Sequence, residues 1–240
     1  MVKKLNFLLI SKLPRLLLFK VLFFVLILAG LYFWDFSLTA SAIFIISVFW
    51  LYFSQLPERR HFRFSFIILM LTAFFVLHFS VWGILIFFPL FYLLLGLGAF
   101  VFKNSAAVYL FLNTCLFLII FLFFFGLGRP EYFLLVNLLL FLIIFFLLRE
   151  CFKNSLFPIH NSQFIALVIA FLSLELFWAI NLLPLGFVNS AILLTLFIFL
   201  TRDFVLAYFS GRLNRQFLVS HFLIFSILAV LIFVFSKWSI

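Results

Sequence analysis

The sequence predicts an all-α, polytopic transmembrane helical bundle of about nine spans, with no soluble domain. Three observations predict it. Hydrophobic residues make up 69% of the chain and charged residues 9%, where a soluble domain is about half apolar and about a quarter charged. The apolar residues form continuous runs, as over 21–28 and 116–125, and a membrane β-barrel would alternate instead. The Lys and Arg residues collect at the ends of those runs, where a bilayer meets water. The mean hydropathy of +1.45 agrees.

Residues 1–15 form a basic interfacial segment carrying Lys3, Lys4, Lys12 and Arg15, with Pro14 as an expected break. A single transmembrane domain is expected to follow over 16–240. The first span is 16–34. Its apolar run is long for a signal peptide, so an uncleaved anchor is expected despite the cleavage-like Ala40-Ser41-Ala42. Asp35 marks a tight turn into the second span, 36–56, which Pro57 closes. Residues 64–102 then run for 39 positions without Asp, Glu, Lys or Arg. One helix of that length would reach ~58 Å, about twice the hydrocarbon core. The run must fold back, near His78-Phe-Ser-Val-Trp-Gly83, into spans 64–79 and 81–102. The remaining spans are 106–127, 132–148, 164–183, 187–208 and 217–236, with a turn at Pro184-Leu-Gly186 between the seventh and eighth.

Charge fixes the expected orientation. With the N-terminus inside and the C-terminus outside, fourteen of the 16 Lys and Arg residues face the cytoplasm and only Arg129 and Lys237 do not. That is a strong positive-inside asymmetry. It predicts a multi-pass protein of the cell (cytoplasmic or inner) membrane whose basic residues meet anionic lipid headgroups. The net charge of +10 is thereby explained without nucleic acid, which is excluded as a partner. A second copy of the chain or a subunit of a membrane complex is the remaining partner class.

The links are short, about fifteen residues at most, and leave no room for a soluble catalytic domain. No phosphate-binding loop, dinucleotide fingerprint, HExxH, CxxC or GxSxG motif is present. No cofactor, metal or catalytic residue is therefore assigned, and Cys115 and Cys151 suggest neither a disulfide framework nor a metal site. The sequence leans away from an enzyme.

The stretch 173–190 is the most informative. It holds Glu175, an acid deep inside an apolar run, and the grouping Asn181, Pro184, Gly186 and Asn189. A charge at mid-membrane costs about 2.5–3.5 kcal/mol, while each Phe, Ile, Leu or Val returns roughly 0.3–0.6. Thirteen such residues lie in 164–183, so the helix inserts despite the acid. An acid at this depth is expected to face the bundle interior, as a functional group or as a protonated hydrogen-bonding link between helices. Glu175, Trp178 and Asn181 follow each other at i, i+3 and i+6, drifting along one side of the helix. Counting rises from the span ends places Glu175 at ~12 Å and Asn137 at ~8–9 Å from the outer surface. His78 falls near that surface too. Glu175, Asn181, Trp178, Asn137 and His78 are accordingly the candidate binding residues, for a small polar or cationic solute.

Other polar positions read as packing. Asn113 and Thr114 suit helix contacts, and Ala166, Ala170 and Ser173 form a small-residue stripe. Gly96 suggests another close approach. Arg202 and Asp203 read as an anchoring base and a solvated acid. Phe102-Lys-Asn-Ser105 recurs as Phe152-Lys-Asn-Ser155, where Asn or Ser suits helix capping. Three function classes remain: a carrier- or channel-like protein handling a small solute or lipid, a non-catalytic accessory or assembly subunit, and a membrane-embedded enzyme acting on a lipid-linked substrate through Asp35, Glu131 or His78.

Overall fold

The structure is a computed structural model. It describes residues 2–236 except 54–61, 80–82, 99–100, 103, 128–132, 156–158 and 160. The described residues form nine α-helices and no strand: α1 (Val2–Phe33), α2 (Leu38–Phe53), α3 (Arg63–Phe79), α4 (Gly83–Gly98), α5 (Ser105–Gly126), α6 (Phe133–Lys153), α7 (Ser162–Asn181), α8 (Phe187–Phe209) and α9 (Arg215–Phe235). Six of them are long and apolar enough to cross a membrane, namely α1 and α5–α9, and α2, α3 and α4 are shorter apolar helices. The chain is a helical membrane protein with about nine spans. α1 runs through Pro14, where the sequence suggested a break. α6 continues past 148 to Lys153, which draws Arg149, Glu150 and Cys151 into the helix.

The chain divides into two compact units, Met1–Leu112 and Asn113–Ile240. In the first unit α1 packs against α2, α3 and α4, and α3 packs on α4. The buried face of α1 is Leu17, Val21, Phe24, Leu28 and Leu31, a four–three spacing that keeps one seam turned inward. Phe24 stacks on Phe91 of α4 at 3.9 Å. Tyr52 of α2 stacks on Phe66 of α3 at 4.0 Å and donates its hydroxyl to the Phe62 carbonyl. Lys20 is buried, and its Nζ donates to the Leu51 carbonyl at 3.1 Å. That carbonyl lies in the last turn of α2, where helix carbonyls lack partners and a cation opposes the dipole.

The tight turn at Asp35 has a specific geometry. The Phe36 amide donates to the Leu31 carbonyl and the Asp35 amide to the Tyr32 carbonyl. This pair of bonds closes α1 as a Schellman motif with Asp35 in the left-handed region at φ 44°. Phe36 also has a positive φ, 53°, and its ring packs edge-on against Phe74 at 5.4 Å. α8 ends in the same way. Arg212 donates to the Ala207 carbonyl, Gly211 donates to Tyr208, and Gly211 has φ 67°. Gly96 serves a neighbour other than a packed helix: a Cβ there would overlap the Phe102 ring.

In the second unit α6 packs on α7, α7 on α8 and α8 on α9. α6 turns inward Asn137, Leu140, Ile144, Leu147 and Cys151, and α7 turns inward Ala166, Ala170, Ser173, Phe177 and Ile180. Both follow the three–four spacing of a helical seam. Ala166, Ala170 and Ser173 are all fully buried, as the stripe predicted. Ser173 donates its hydroxyl to the Ile169 carbonyl at 2.6 Å, so its polar group is satisfied within its own helix. The two Lys-Asn-Ser segments do different work. Asn104 accepts the Ala107 amide and caps the start of α5, whereas the Asn154 amide and Ser155 hydroxyl bond back to Glu150 and Phe152 at the end of α6.

Candidate functional site

α6 and α7 are consecutive helices packed along their seams. At the end where α6 begins and α7 finishes, the seam opens into a groove of about 460 Å³. Leu134 and Asn137 of α6 line it, with Leu174, Glu175, Trp178 and Ala179 of α7 and Leu182 just beyond. This volume lies in the range of small-molecule sites, roughly 300–1,000 Å³.

The spacing of α7 explains the lining. Ser173, Phe177 and Ile180 take the buried seam. Leu174, Glu175 and Trp178 therefore fall beside it, on the flank of the helix. Glu175 lies six residues before the end of α7, about 9 Å along the axis. Asn137 lies four residues into α6, about 6 Å from its start. The two polar groups thus sit at similar levels.

Glu175 is exposed, on the open side of the groove. This differs from the interior position expected of an intramembrane acid. Position 175 misses the buried 173–177–180 seam by two residues, which turns it outward. Trp178 is 56% exposed and forms one wall. Asn137 is different: it is 8% exposed, and its Oδ1 has no hydrogen-bond partner among the described residues. A buried acceptor left unmet costs about 1–3 kcal/mol. Glu175 is the one charged residue among the described residues lining the groove.

The other two candidates are not among these lining residues. Asn181 is exposed and donates its side-chain amide to the Phe177 carbonyl at 3.0 Å, within its own helix. His78 belongs to α3 in the first unit, and its side chain lies outside the described residues. So does Glu131. Asp35 lies in the turn after α1, in the first unit, with its side chain exposed.

A second polar cluster escaped the sequence reading. Arg202 of α8 is 1% exposed, not an anchor at the surface. Its Nη1 donates to Asn113 Oδ1 at 3.1 Å and Thr114 Oγ1 at 3.0 Å, which ties α8 to α5. Its Nε and Nη2 reach Asp203 Oδ1 at 3.4 and 3.3 Å. The guanidinium lies 5.3 Å from the Phe199 ring centre. Glu150 and Cys151 of α6 are buried as well. The signal was available in the spacing: Leu194, Ile198 and Arg202 follow at steps of four, so a helix burying the first two also buries the third. Asn113 stands between Leu112 and Leu116 on the buried row of α5. Asn113 Nδ2 is buried with no hydrogen-bond partner among the described residues, and the chemistry of the cluster is that of a clamp between helices.

Fold and site together define a multi-pass helical membrane protein with a groove lined, among the described residues, by one acid, a tryptophan and apolar side chains beside a buried asparagine. No known protein family, curated protein or solved structure matches the chain.

Proposed function

We propose that this chain is a carrier- or channel-like membrane protein that receives a small solute or lipid in the groove between α6 and α7. One observation carries the reading: Glu175, Trp178 and Asn137 line a single open groove inside an apolar helix pair. Acids and polar residues at membrane depth are costly, and they mark substrate or ion pathways. Here that cost falls on groups that share one volume, as a binding site requires. The site belongs to a protein of the cytoplasmic membrane, oriented N-inside and C-outside by its basic residues.

Water access at position 175 tests this reading. Cys115 and Cys151 are replaced by Ser, Glu175→Cys is introduced, and a membrane-impermeant maleimide is applied from outside. Rapid labelling is the expected result. A folded protein that stays unlabelled from either side would remove the groove from the solute path.

A second reading is an accessory or assembly subunit, and α9 favours it. None of its described residues is buried, and Phe222, Val230, Val234 and Phe235 are each at least 60% exposed. Such a helix suits contact with another membrane subunit. Under that reading Glu175→Gln leaves solute movement unchanged, and substitutions on α9 change the size of the complex isolated in mild detergent.

A further inference from the structure

Among the described residues, the groove carries one charged group, the Glu175 carboxylate. Glu175 contributes two carboxylate oxygens, which accept hydrogen bonds. Asn137 lines the groove, with its Oδ1 closed off from it. Trp178 contributes an indole face in a wall that is more than half exposed. Aromatic faces attract cations. No Lys, Arg or His among the described residues lines the groove. An anion would find no counter-charge there and would be repelled by Glu175. A neutral apolar molecule would leave the Glu175 carboxylate without a counter-charge. A zwitterionic phospholipid could satisfy the acid, but its phosphate would have no described cation in the lining to receive it. Leu134, Leu174, Ala179 and Leu182 complete the walls, so the rest of the ligand must be apolar.

We propose that the groove binds a lipophilic ammonium: a protonated primary amine on a short apolar body, carrying net positive charge. The amine donates to the Glu175 oxygens, and its charge lies against the Trp178 ring. The apolar body lies along the leucines. The proposal rests on the groove being a solute site and names the class of solute.

The test uses the full chain in lipid nanodiscs and equilibrium dialysis with three probes of equal chain length. Octylammonium is the cation, n-octanol the neutral control, and an octyl phosphoethanolamine the zwitterion. Octylammonium is expected to bind saturably at one per chain. Binding should weaken about tenfold or more in Glu175→Gln, since a charged hydrogen-bond partner is lost. Trp178→Leu should weaken it severalfold. Trp178 is exposed, so this variant keeps the test intact if Glu175→Gln fails to fold. Octanol and the zwitterion should show only lipid partitioning, unchanged by either substitution.

Saturable binding of octanol or the zwitterion at the strength of octylammonium would overturn the cation class, as would full octylammonium binding in Glu175→Gln. Where position 175 labels from water but octylammonium does not bind, the ammonium proposal fails and the groove remains a solute site. Where position 175 does not label and no probe binds, both readings fail.

Discussion

Removing the Arg202 guanidinium is the most informative perturbation of the fold. Arg202→Ala strands the Asn113 oxygen and the Asp203 carboxylate and leaves the space of a fully buried side chain empty. Breaking a buried charge pair from one side costs about 3–5 kcal/mol. Two features pull the value down. Asp203 keeps 22% of its side-chain surface exposed, so water screens part of its charge. Interhelical hydrogen bonds in membranes average only about 0.6 kcal/mol because the unfolded reference also finds partners. The expected loss for Arg202→Ala is therefore about 3 kcal/mol, the lower edge of that range. Arg202→Lys keeps the charge but loses the fork that serves Asn113, Thr114 and Asp203 together, and should lose about 1–2 kcal/mol. Adding Asp203→Asn to Arg202→Met should recover part of the loss, because the stranded charge is removed. The assay is equilibrium unfolding in mixed micelles, followed by helical circular dichroism. If Arg202→Ala unfolds within about 1 kcal/mol of the parent, the guanidinium is not a buried clamp and the reasoning fails.

Three further outcomes follow from the helix contacts and ends. Ser173→Leu places a large side chain on the fully buried stripe of α7; unfolding in the same micelles should show a loss of about 1–3 kcal/mol from overpacking. Gly211→Ala meets no neighbour but must hold φ 67°, so it should cost about 1–2 kcal/mol, and Gly211→Asn should cost less. Asn214 Oδ1 accepts the Phe217 amide at 2.7 Å at the start of α9; Asn214→Ala should cost about 1 kcal/mol and speed hydrogen exchange in the first turn of α9.

The helices were legible because a bilayer demands long apolar runs and punctuates them with charge. The turn at Asp35, the fold-back after His78 and the break at Pro184 all separate helices of the structure. Which side of each helix turns inward was harder to read. Lipid and protein core are equally apolar, so Phe19 (69% exposed) and Phe24 (fully buried) look alike in sequence. Small residues were the exception, and Ala166, Ala170 and Ser173 were placed correctly because only close packing rewards them. Basic residues misled in two cases. Lys20 and Arg202 were counted as face charges, yet one caps the end of α2 and the other joins α5 to α8. Positive-inside counting sees sign and sequence position, not partners. In the groove, depth arithmetic put Asn137 level with Glu175, but only the packing of α6 on α7 placed both on one volume and left Asn181 bonded to its own helix.

The central claim is that the α6–α7 groove is a water-reachable ligand site within the membrane. Collision measurements on a spin label at Leu174→Cys, with Cys115 and Cys151 replaced by Ser, test it while keeping Glu175, Trp178 and Asn137. A label at Phe171→Cys, an exposed apolar position on the same helix, is the reference. The groove label should collide with a water-soluble nickel chelate more often than the reference does, and octylammonium should suppress those collisions. A groove label that meets oxygen but not nickel, as a lipid-facing reference would, and that ignores octylammonium would contradict the claim.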